Sequence, residues 1–332
     1  MNPFAYTSPK NTSDAAALAK PNGDFALPVL KSGGMDLLDR MKEGLEQPDL
    51  IIDLTRIEDP TLDAIKPDRI GGRATLAMVA ESEALRTSAP ILGAAAGSAA
   101  TPQIRNVATV AGNLLQETRC WYWRMSQFDC LRKTGDDCPA REGDHRFHVI
   151  FQNGPCLMVH PSNLAPALLV LDGEVEVVGG DRSRIAIRDL YPDPAVDWQS
   201  TSVLSPSEII TGVRFRSAPN SAFIALKQKQ SFDWPMVSGY AALELDGDVI
   251  TSARTCAGAV APRPHLLPQV DAALAGVSID DDRRIRAACE LAVDGADPLP
   301  GTVYKTTLLP VAIRRAVNAA ASLSSPDQGG DA

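Results

Sequence analysis

Short apolar runs separated by turn residues give the first 65 residues a simple pattern. "FALPVL" (25–30) and "DLIIDL" (49–54) are continuous apolar runs, which predict two buried strands. Between them, "SGG" predicts a turn and "MDLLDRMKEG" an amphipathic helix that glycine ends. The pattern therefore predicts a strand, a glycine turn, a helix and a second strand.

Residues 66–217 mix helical and strand periods. "IGGRATLAMVAES" predicts a helix after a Gly-Gly turn, and "APILGAAAGSAA" predicts a helix of small residues that packs closely. Further on, "ALLVLDGEVEVVGGDRSRIAIRDLY" (167–191) alternates, with turn residues at Asp172-Gly173 and at Gly179-Gly180. Alternation with such turns predicts hairpin strands.

Residues 218–323 predict a hairpin followed by helices. "GYAALELDGDVITSARTCAGAVAP" has the hairpin pattern, with Asp246-Gly247 at its tip. "DDRRIRAACELAV" and "LLPVAIRRAVNAAASL" have the period of amphipathic helices. The last residues, 324–332, read "SSPDQGGDA" and predict a disordered tail.

Composition excludes several classes of protein. The chain has 332 residues, 45% hydrophobic and 22% charged, which is typical of a globular protein with a sizeable core. The net charge of -9 argues against nucleic-acid binding. No apolar stretch reaches the roughly 18 residues of a membrane span. The first twenty residues lack the pattern of a signal peptide, so we expect a cytoplasmic chain, or one exported with a signal-bearing partner.

The six cysteines are unevenly distributed. Cys256 and Cys289 stand alone in apolar or helical surroundings, which favours small buried side chains. The other four lie within 37 residues, a distribution that argues against the disulfide framework of a small secreted protein. Their spacing alone leaves an iron–sulfur cluster, a zinc site and free thiols equally open. These four are Cys120, Cys130, Cys138 and Cys156.

Two loops have residues suited to a phosphate-bearing cofactor. "LKSGGMDLL" (30–38) places two glycines between a strand and a helix, where backbone amides can approach a phosphate. In "RNVATVAGNLL" (105–115), Thr109, Gly112 and Asn113 offer a hydroxyl, a bare backbone and an amide. Taken singly, each loop is explained about equally well by an ordinary turn.

Together, the two loops resemble the FAD-binding subunit of the molybdenum hydroxylases, the group of xanthine dehydrogenase, aldehyde oxidoreductase and carbon monoxide dehydrogenase. The family motifs are roughly "AGGTNLL" and "IRNxATxGGN", and this chain departs from them at Met35, Asp36 and Ala111. "KQKQSFDWPMVSGYAAL" and "AGAVAPRPHLL" extend the resemblance over about residues 20–322. The resemblance implies an α+β fold, with FAD-binding subdomains at 1–65 and 66–217 and a C-terminal α+β domain at 218–323.

The resemblance also implies the site residues. The first loop would cradle the FAD pyrophosphate, and the second would line the flavin; side chains added at Gly33 or Gly112 would then point at the cofactor. Asn163, in "HPSN", stands where relatives have aspartate, and Lys227 or Lys229 stands where they keep a basic residue. The expected FAD contacts are Val29, Leu30, Lys31, Ser32, Gly33, Gly34, Met35, Asp36, Leu37, Thr109, Gly112, Asn113, Asn163 and Lys227.

Within the family, the segment 118–157 resembles an insertion that binds a [4Fe-4S] cluster. Such insertions are a feature of the flavoprotein subunits of certain aldehyde oxidoreductases and of 4-hydroxybenzoyl-CoA reductase. The resemblance implies that Cys120, Cys130, Cys138 and Cys156 bind the cluster. Aromatic residues of the insertion would pack around it, namely Trp121, Tyr122, Trp123 and Phe128.

The implied function is electron transfer within a complex. A large molybdopterin-binding subunit and a small [2Fe-2S] subunit would supply electrons, and FAD on this chain would pass them to an external acceptor. The "KQKQSFDWP" segment favours the aldehyde oxidoreductase branch. A β subunit of the 4-hydroxybenzoyl-CoA reductase type is the nearer alternative, and a zinc-stabilised binding module without a redox role is the more distant one.

Overall fold

The computed structural model describes residues 2–133, 135–230 and 232–323. The predicted tail at 324–332 lies outside these ranges. The N-terminal part forms a three-stranded parallel sheet in the order β1-β3-β2. Its elements are β1 (Ala5–Thr7), α1 (Thr12–Leu18), β2 (Pro28–Lys31), α2 (Met35–Lys42) and β3 (Leu50–Asp53).

The predicted strand, turn, helix and strand are confirmed as β2, α2 and β3. Helix α2 buries Leu37 and Met41 against Ile51 of β3, because these apolar side chains share one helix face. Strand β1 was not predicted. It has three residues, its side chains are largely exposed, and so it carries no hydrophobic period.

The middle part contains a five-stranded antiparallel sheet in the order β4-β5-β8-β6-β7. Helix α5 packs on α3, and its small residues allow close approach: a β-carbon on Gly97 would lie 3.5 Å from that of Ala80. The elements are β4 (Ile65–Lys66), β5 (Arg69–Gly71), α3 (Leu76–Glu81), α4 (Glu83–Ser88), α5 (Pro90–Gly97), α6 (Pro102–Arg105), α7 (Val110–Leu114), α8 (Trp121–Arg124), α9 (Leu164–Val170), β6 (Glu174–Val178), β7 (Arg184–Ala186), α10 (Ile187–Leu190) and β8 (Ile209–Arg214).

The predicted strands of residues 167–191 are partly wrong. The turn at Gly179-Gly180 joins β6 and β7 in a hairpin, as predicted. The residues before Asp172 form helix α9 instead of a strand. Every residue of α9 is buried, so apolar side chains occupy all of its faces, and a short buried helix of this kind cannot be distinguished from a buried strand by period.

The C-terminal part is a second antiparallel sheet covered by helices. Its strand order is β12-β11-β10-β9, and β13 pairs with β11. The predicted hairpin is confirmed as β10 and β11, and the two predicted helices as α12 and α13. The elements are β9 (Ser221–Lys227), β10 (Pro235–Asp246), β11 (Val249–Gly258), β12 (His265–Leu266), α11 (Pro268–Leu274), β13 (Val277–Ser278), α12 (Asp282–Glu290) and α13 (Tyr304–Ser322).

These sheets and helices form the expected α+β fold. The cysteine-rich segment, 118–157, contains helix α8, a short 3-10 helix at Pro139–Arg141 and otherwise irregular backbone in its described residues. Among the helices of the described chain, none is both long enough and apolar enough to cross a membrane.

Candidate functional site

A cleft of about 430 Å³ lies where the two glycine loops meet. It brings together segments that are far apart in the sequence: both loops, the "HPSN" segment, the start of the cysteine-rich segment and the chain just before β10. The lining includes Leu30, Lys31, Ser32, Gly33, Gly34, Met35, Asp36, Leu37, Thr109, Gly112, Asn113, Asn163, Arg119, Phe232 and Trp234. Of the residues expected to contact FAD, Val29 and Lys227 are not part of this lining.

The first loop packs directly against the second. A β-carbon on Gly33 would lie 2.1 Å from the carbonyl oxygen of Val107, which no side chain can tolerate. Gly34 begins helix α2 with φ of 75°, in the left-handed region that favours glycine. We expected a side chain at Gly33 to point at the cofactor. That expectation is wrong, because the missing β-carbon at Gly33 serves loop-to-loop contact.

The second loop is ordered by its own side chains. The Thr109 hydroxyl accepts a hydrogen bond from the backbone amide of Gly112 (3.2 Å) and caps helix α7. A β-carbon on Gly112 would meet only that hydroxyl, at 3.1 Å, so the other space beside Gly112 belongs to the cleft. The Asn113 amide oxygen accepts a hydrogen bond from the Ser162 hydroxyl (2.7 Å), which ties the loop to "HPSN".

Asn163 and Lys227 each bond to a backbone carbonyl. Asn163 is buried, and its amide donates a long hydrogen bond of 3.5 Å to the carbonyl of Ala95. Lys227 donates to the carbonyl of Ser98, a residue of the cleft wall, at 2.9 Å. Burial lowers the pKa of Lys227. The lysine therefore contacts the cleft wall through Ser98 and is not itself part of the lining.

Asp36 connects the first loop to the cysteine-rich segment. Its carboxylate pairs with Arg119 at 2.9 Å and with Arg124 at 2.8 Å. It also accepts a hydrogen bond from the backbone amide of Glu117 (2.9 Å) and pairs with Arg40 at 3.3 Å. The family motif has asparagine at this position, so sequence comparison gave no sign of this ionic link.

A second ionic contact lies at the start of the first loop. The Lys31 ammonium is 3.2 Å from the Asp53 carboxylate, at the ends of the paired strands β2 and β3. Burial alone would raise the pKa of Asp53, but hydrogen bonds from Tyr6 and Thr55 outweigh it and lower that pKa. Lys31 thus lines the cleft, and the Asp53 carboxylate at the end of β3 balances its charge.

The four clustered cysteines are drawn together in the 118–157 segment. Cys130, Cys138 and Cys156 are buried and Cys120 is partly buried. Burial is the largest cause that raises the pKa of Cys120 to about 12, and negative charge on Cys156 and Cys130 contributes to this shift. Burial is also the largest cause that raises the pKa of Cys156 to about 11, with contributions from Cys138 and Cys130. Cys130 and Cys156 therefore each lie within electrostatic range of the other three cysteines.

The immediate surroundings of these cysteines are aromatic. Cys138 packs with Tyr122 in one hydrophobic cluster, which Trp121 and Phe128 also contact. Trp123 is buried but is not part of this cluster. His148, which sequence reasoning missed, has its Nε2 3.3 Å from the Cys120 sulfur. Within the described parts of the chain, no three His, Cys, Asp or Glu side chains lie close enough together to hold a single metal ion.

The remaining two cysteines are buried in separate cores. Cys256 and Cys289 are 0% and 1% exposed, respectively. Cys256 belongs to the core of the middle part and Cys289 to that of the C-terminal sheet. The prediction that they are small buried side chains is confirmed.

Arg119, Phe232 and Trp234 are cleft residues that sequence reasoning did not assign. No local sequence pattern marks them as cleft residues. The arginine lies beside a cysteine, and the aromatics lie in "KQKQSFDWP", which carries only the family resemblance. Phe232 and Trp234 are 63% and 50% exposed, which is unusual for large aromatic side chains. Only folding brings them together with Arg119.

Two family models and several known proteins match this chain. The family model described as "FAD binding domain in molybdopterin dehydrogenase" matches residues 2–216, and that of the "CO dehydrogenase flavoprotein C-terminal domain" matches residues 221–320. The aldehyde oxidoreductase FAD-binding subunit PaoB of Escherichia coli (strain K12) is 32% identical over 287 residues, covering 82% of this chain and 86% of PaoB. The carbon monoxide dehydrogenase medium chain of Afipia carboxidovorans is 26% identical and covers 96% of both chains.

Solved structures show the same fold. A chain of the Cu,Mo-CO dehydrogenase in its cyanide-inactivated form superposes with a TM-score of 0.74 at 23% identity, covering 98% of this chain and 100% of that one. The two family models together span almost the whole described chain. The protein therefore belongs to the molybdopterin dehydrogenase FAD-binding family, with the CO dehydrogenase flavoprotein C-terminal domain.

Proposed function

We propose that this chain binds one FAD in the cleft between the glycine loops and serves as an electron-transfer subunit. The observation that carries the proposal is the direct packing of the first loop on the second at Gly33 and Val107, which builds one cleft from both motifs. A cleft of about 430 Å³ lies within the usual range of cofactor sites, roughly 300–1,000 Å³. Bound FAD would accept electrons and pass them on.

The charges and backbone of the cleft suit a dinucleotide. Gly34 leads into the N-terminus of α2, where free amides and the helix dipole favour a pyrophosphate. Lys31, Arg40 and Arg119 line the same cleft, and the acidic Asp36 beside them is already paired with arginines. These groups would hold the phosphates, while Thr109, Gly112 and Asn113 would place the flavin.

We further propose that the four clustered cysteines bind a [4Fe-4S] cluster. Each thiolate of such a cluster binds a different iron, so the sulfurs stand farther apart than the ligands of one ion. Three buried cysteines and the partly buried Cys120 lie within electrostatic range of Cys130 or Cys156, and among the described residues no three ligands are close enough for one ion. This arrangement suits a cluster better than zinc. Arg132 contributes positive charge near Cys156 and Cys130, which would help to balance an anionic cluster.

The partners follow from the family. Relatives of this chain are named as a FAD-binding subunit and as medium chains, so we propose that it works with a large molybdopterin-binding subunit and a small [2Fe-2S] subunit. Likeness to PaoB over most of both chains favours the aldehyde oxidoreductase branch over the 4-hydroxybenzoyl-CoA reductase branch. Export, if it occurs, would depend on a partner's signal.

Co-expression with a large molybdopterin-binding subunit and a small [2Fe-2S] subunit tests the proposal. A tagged chain should capture one large and one small subunit, and aldehyde added to the complex without oxygen should bleach the flavin absorbance. The isolated chain should bind FAD but leave aldehyde unchanged. An isolated chain that oxidises aldehyde at the full rate of the complex would contradict the assignment.

A further inference from the structure

We infer that Arg119 and Trp234 form a clamp across the flavin cleft, so that the cysteine-rich segment is part of the FAD site. The inference rests on the proposed function, because it takes FAD as the occupant of the cleft. Neither residue belongs to the two glycine loops. Both nevertheless line the cleft those loops form.

Arg119 is held over the first loop by charge. Its guanidinium pairs with Asp36 at 2.9 Å and lies 3.4 Å from Asp39, both on the helix that follows the glycines. Arg124 reinforces the same attachment through Asp36. The start of the cysteine-rich segment is thereby fixed to the helix whose N-terminus faces the cleft.

Trp234, from the C-terminal part of the chain, contacts the Arg119 side chain. The guanidinium carbon of Arg119 lies 5.4 Å from the centre of the indole ring, a distance at which a cation is attracted to an aromatic face. The Asp233 carboxylate accepts hydrogen bonds from the backbone amides of Lys229 (3.2 Å) and Trp234 (2.9 Å). Two sides of the cleft thus meet through one side-chain contact.

The exposed surface of this contact is suited to a ligand. Trp234 is half exposed, and Phe232, in the same cleft lining, has a left-handed backbone with φ of 57° that non-glycine residues rarely adopt. Strained backbone and exposed aromatic area at a cleft are features of ligand clamps. The Nε of Arg119 is buried and has no hydrogen-bond partner in the described chain, whereas phosphate and ribose oxygens are acceptors.

The lining of the cleft identifies the chemistry of the molecule that the clamp would hold. Gly33, Gly34, Arg119 and Trp234 all line the same cleft. A molecule that suits this lining carries anionic groups for the backbone amides and the cation, and offers a flat or apolar surface to the indole. FAD has this chemistry. We assign the clamp to FAD retention and not to electron transfer itself.

The rate of FAD release measures the clamp without depending on activity. The holoprotein is diluted into a large volume of buffer without FAD, and the released FAD is followed by its fluorescence. The variants are Arg119→Gln, Arg119→Lys, Trp234→Leu and the double Arg119→Gln/Trp234→Leu. Arg146→Gln is the matched control, because Arg146 is an exposed arginine of the same segment whose partner is Asp144.

We expect Arg119→Gln and Trp234→Leu each to release FAD about tenfold faster, a factor typical of losing a partly desolvated cation–aromatic contact. The fold-increase in the release rate of the double variant should be smaller than the product of the two single fold-increases, because both changes remove one shared contact. Arg119→Lys should recover part of the loss, and Arg146→Gln should match the wild type.

Two results would count against the clamp and are distinguishable. A wild type that carries FAD, with unchanged release in Trp234→Leu and Arg119→Gln, overturns the clamp and leaves the proposed function intact. A folded wild type without FAD overturns both. Trp234→Leu alters a half-exposed side chain, so it keeps the test decisive if Arg119→Gln does not fold.

Discussion

Gly33 lies so close to Val107 that a β-carbon would come within 2.1 Å of the Val107 carbonyl oxygen. The two glycine loops are therefore one packed unit. We predict that Gly33→Ala lowers the free energy of unfolding by about 1–3 kcal/mol, the usual cost of overpacking. Urea unfolding measures it. The control is Gly23→Ala, where a β-carbon would meet nothing within 4 Å, and equal midpoints for both variants would refute the loop packing.

Gly112 should behave differently from Gly33. Its β-carbon would meet only the Thr109 hydroxyl, and the residue lines the cleft. We predict that Gly112→Val folds with near wild-type stability but purifies with little FAD, because the added methyl groups occupy the flavin side of the cleft. The ratio of extracted FAD to protein tests this. A full complement of FAD in Gly112→Val would show that the second loop does not line the cofactor.

The sequence predicted elements that carry a clear period or turn signal and missed those without one. The β10–β11 hairpin has Asp246-Gly247 at its tip, and helix α13 repeats its buried positions at the helical period, so both were predicted. Strand β1 has three largely exposed residues, and α9 is buried on every face. In these two cases, pairing and burial set by the rest of the chain determine the structure.

The sequence predicted the site residues that lie in local motifs. Both glycine loops contain their own signal and do line one cleft. Arg119 and Trp234 join that cleft only through tertiary structure, and the link from Asp36 to Arg124 depends on a helix meeting an irregular segment. Contacts between distant segments leave no period in a single sequence, so they could not be inferred from it.

Lys305 predicts a pH dependence of stability. It is fully buried at the start of α13, where its amino group donates to the carbonyls of Ala259 (2.7 Å) and Phe147 (3.2 Å). Burial lowers its pKa from 10.5 to about 7. Between these two values the unfolded chain binds more protons than the folded one, so the contribution of Lys305 to stability rises with pH and is lost as pH falls towards 7.

The comparison with Lys305→Met isolates that contribution. From pH 7 to pH 9, the wild type should gain stability relative to Lys305→Met by about 1–3 kcal/mol, since each pH unit is worth at most about 1.4 kcal/mol. Urea midpoints at the two pH values measure the gain. Lys66→Met, at an exposed lysine, should show no such change. Parallel curves for wild type and Lys305→Met would contradict a deprotonated buried lysine.

Cysteine variants test the proposed cluster. We predict that Cys138→Ser lowers the iron content of the purified complex by about four atoms per chain, because an all-cysteine cubane loses one of its four ligands. Cys289→Ser, in the separate C-terminal core, should keep all of its iron. Iron analysis and low-temperature paramagnetic resonance of reduced samples decide. Iron that is lost with Cys289 or retained without Cys138 would refute the assignment.

The flavin content of the purified protein shows whether this chain holds one FAD for electron transfer. Acid extraction of the folded, purified protein, followed by chromatographic identification of the flavin, gives the number of FAD molecules per chain. We predict about one FAD per chain, with an absorbance that bleaches on anaerobic reduction and returns with an oxidant. A folded protein that contains no flavin, and takes up none when FAD is added in excess, would contradict the proposed FAD site.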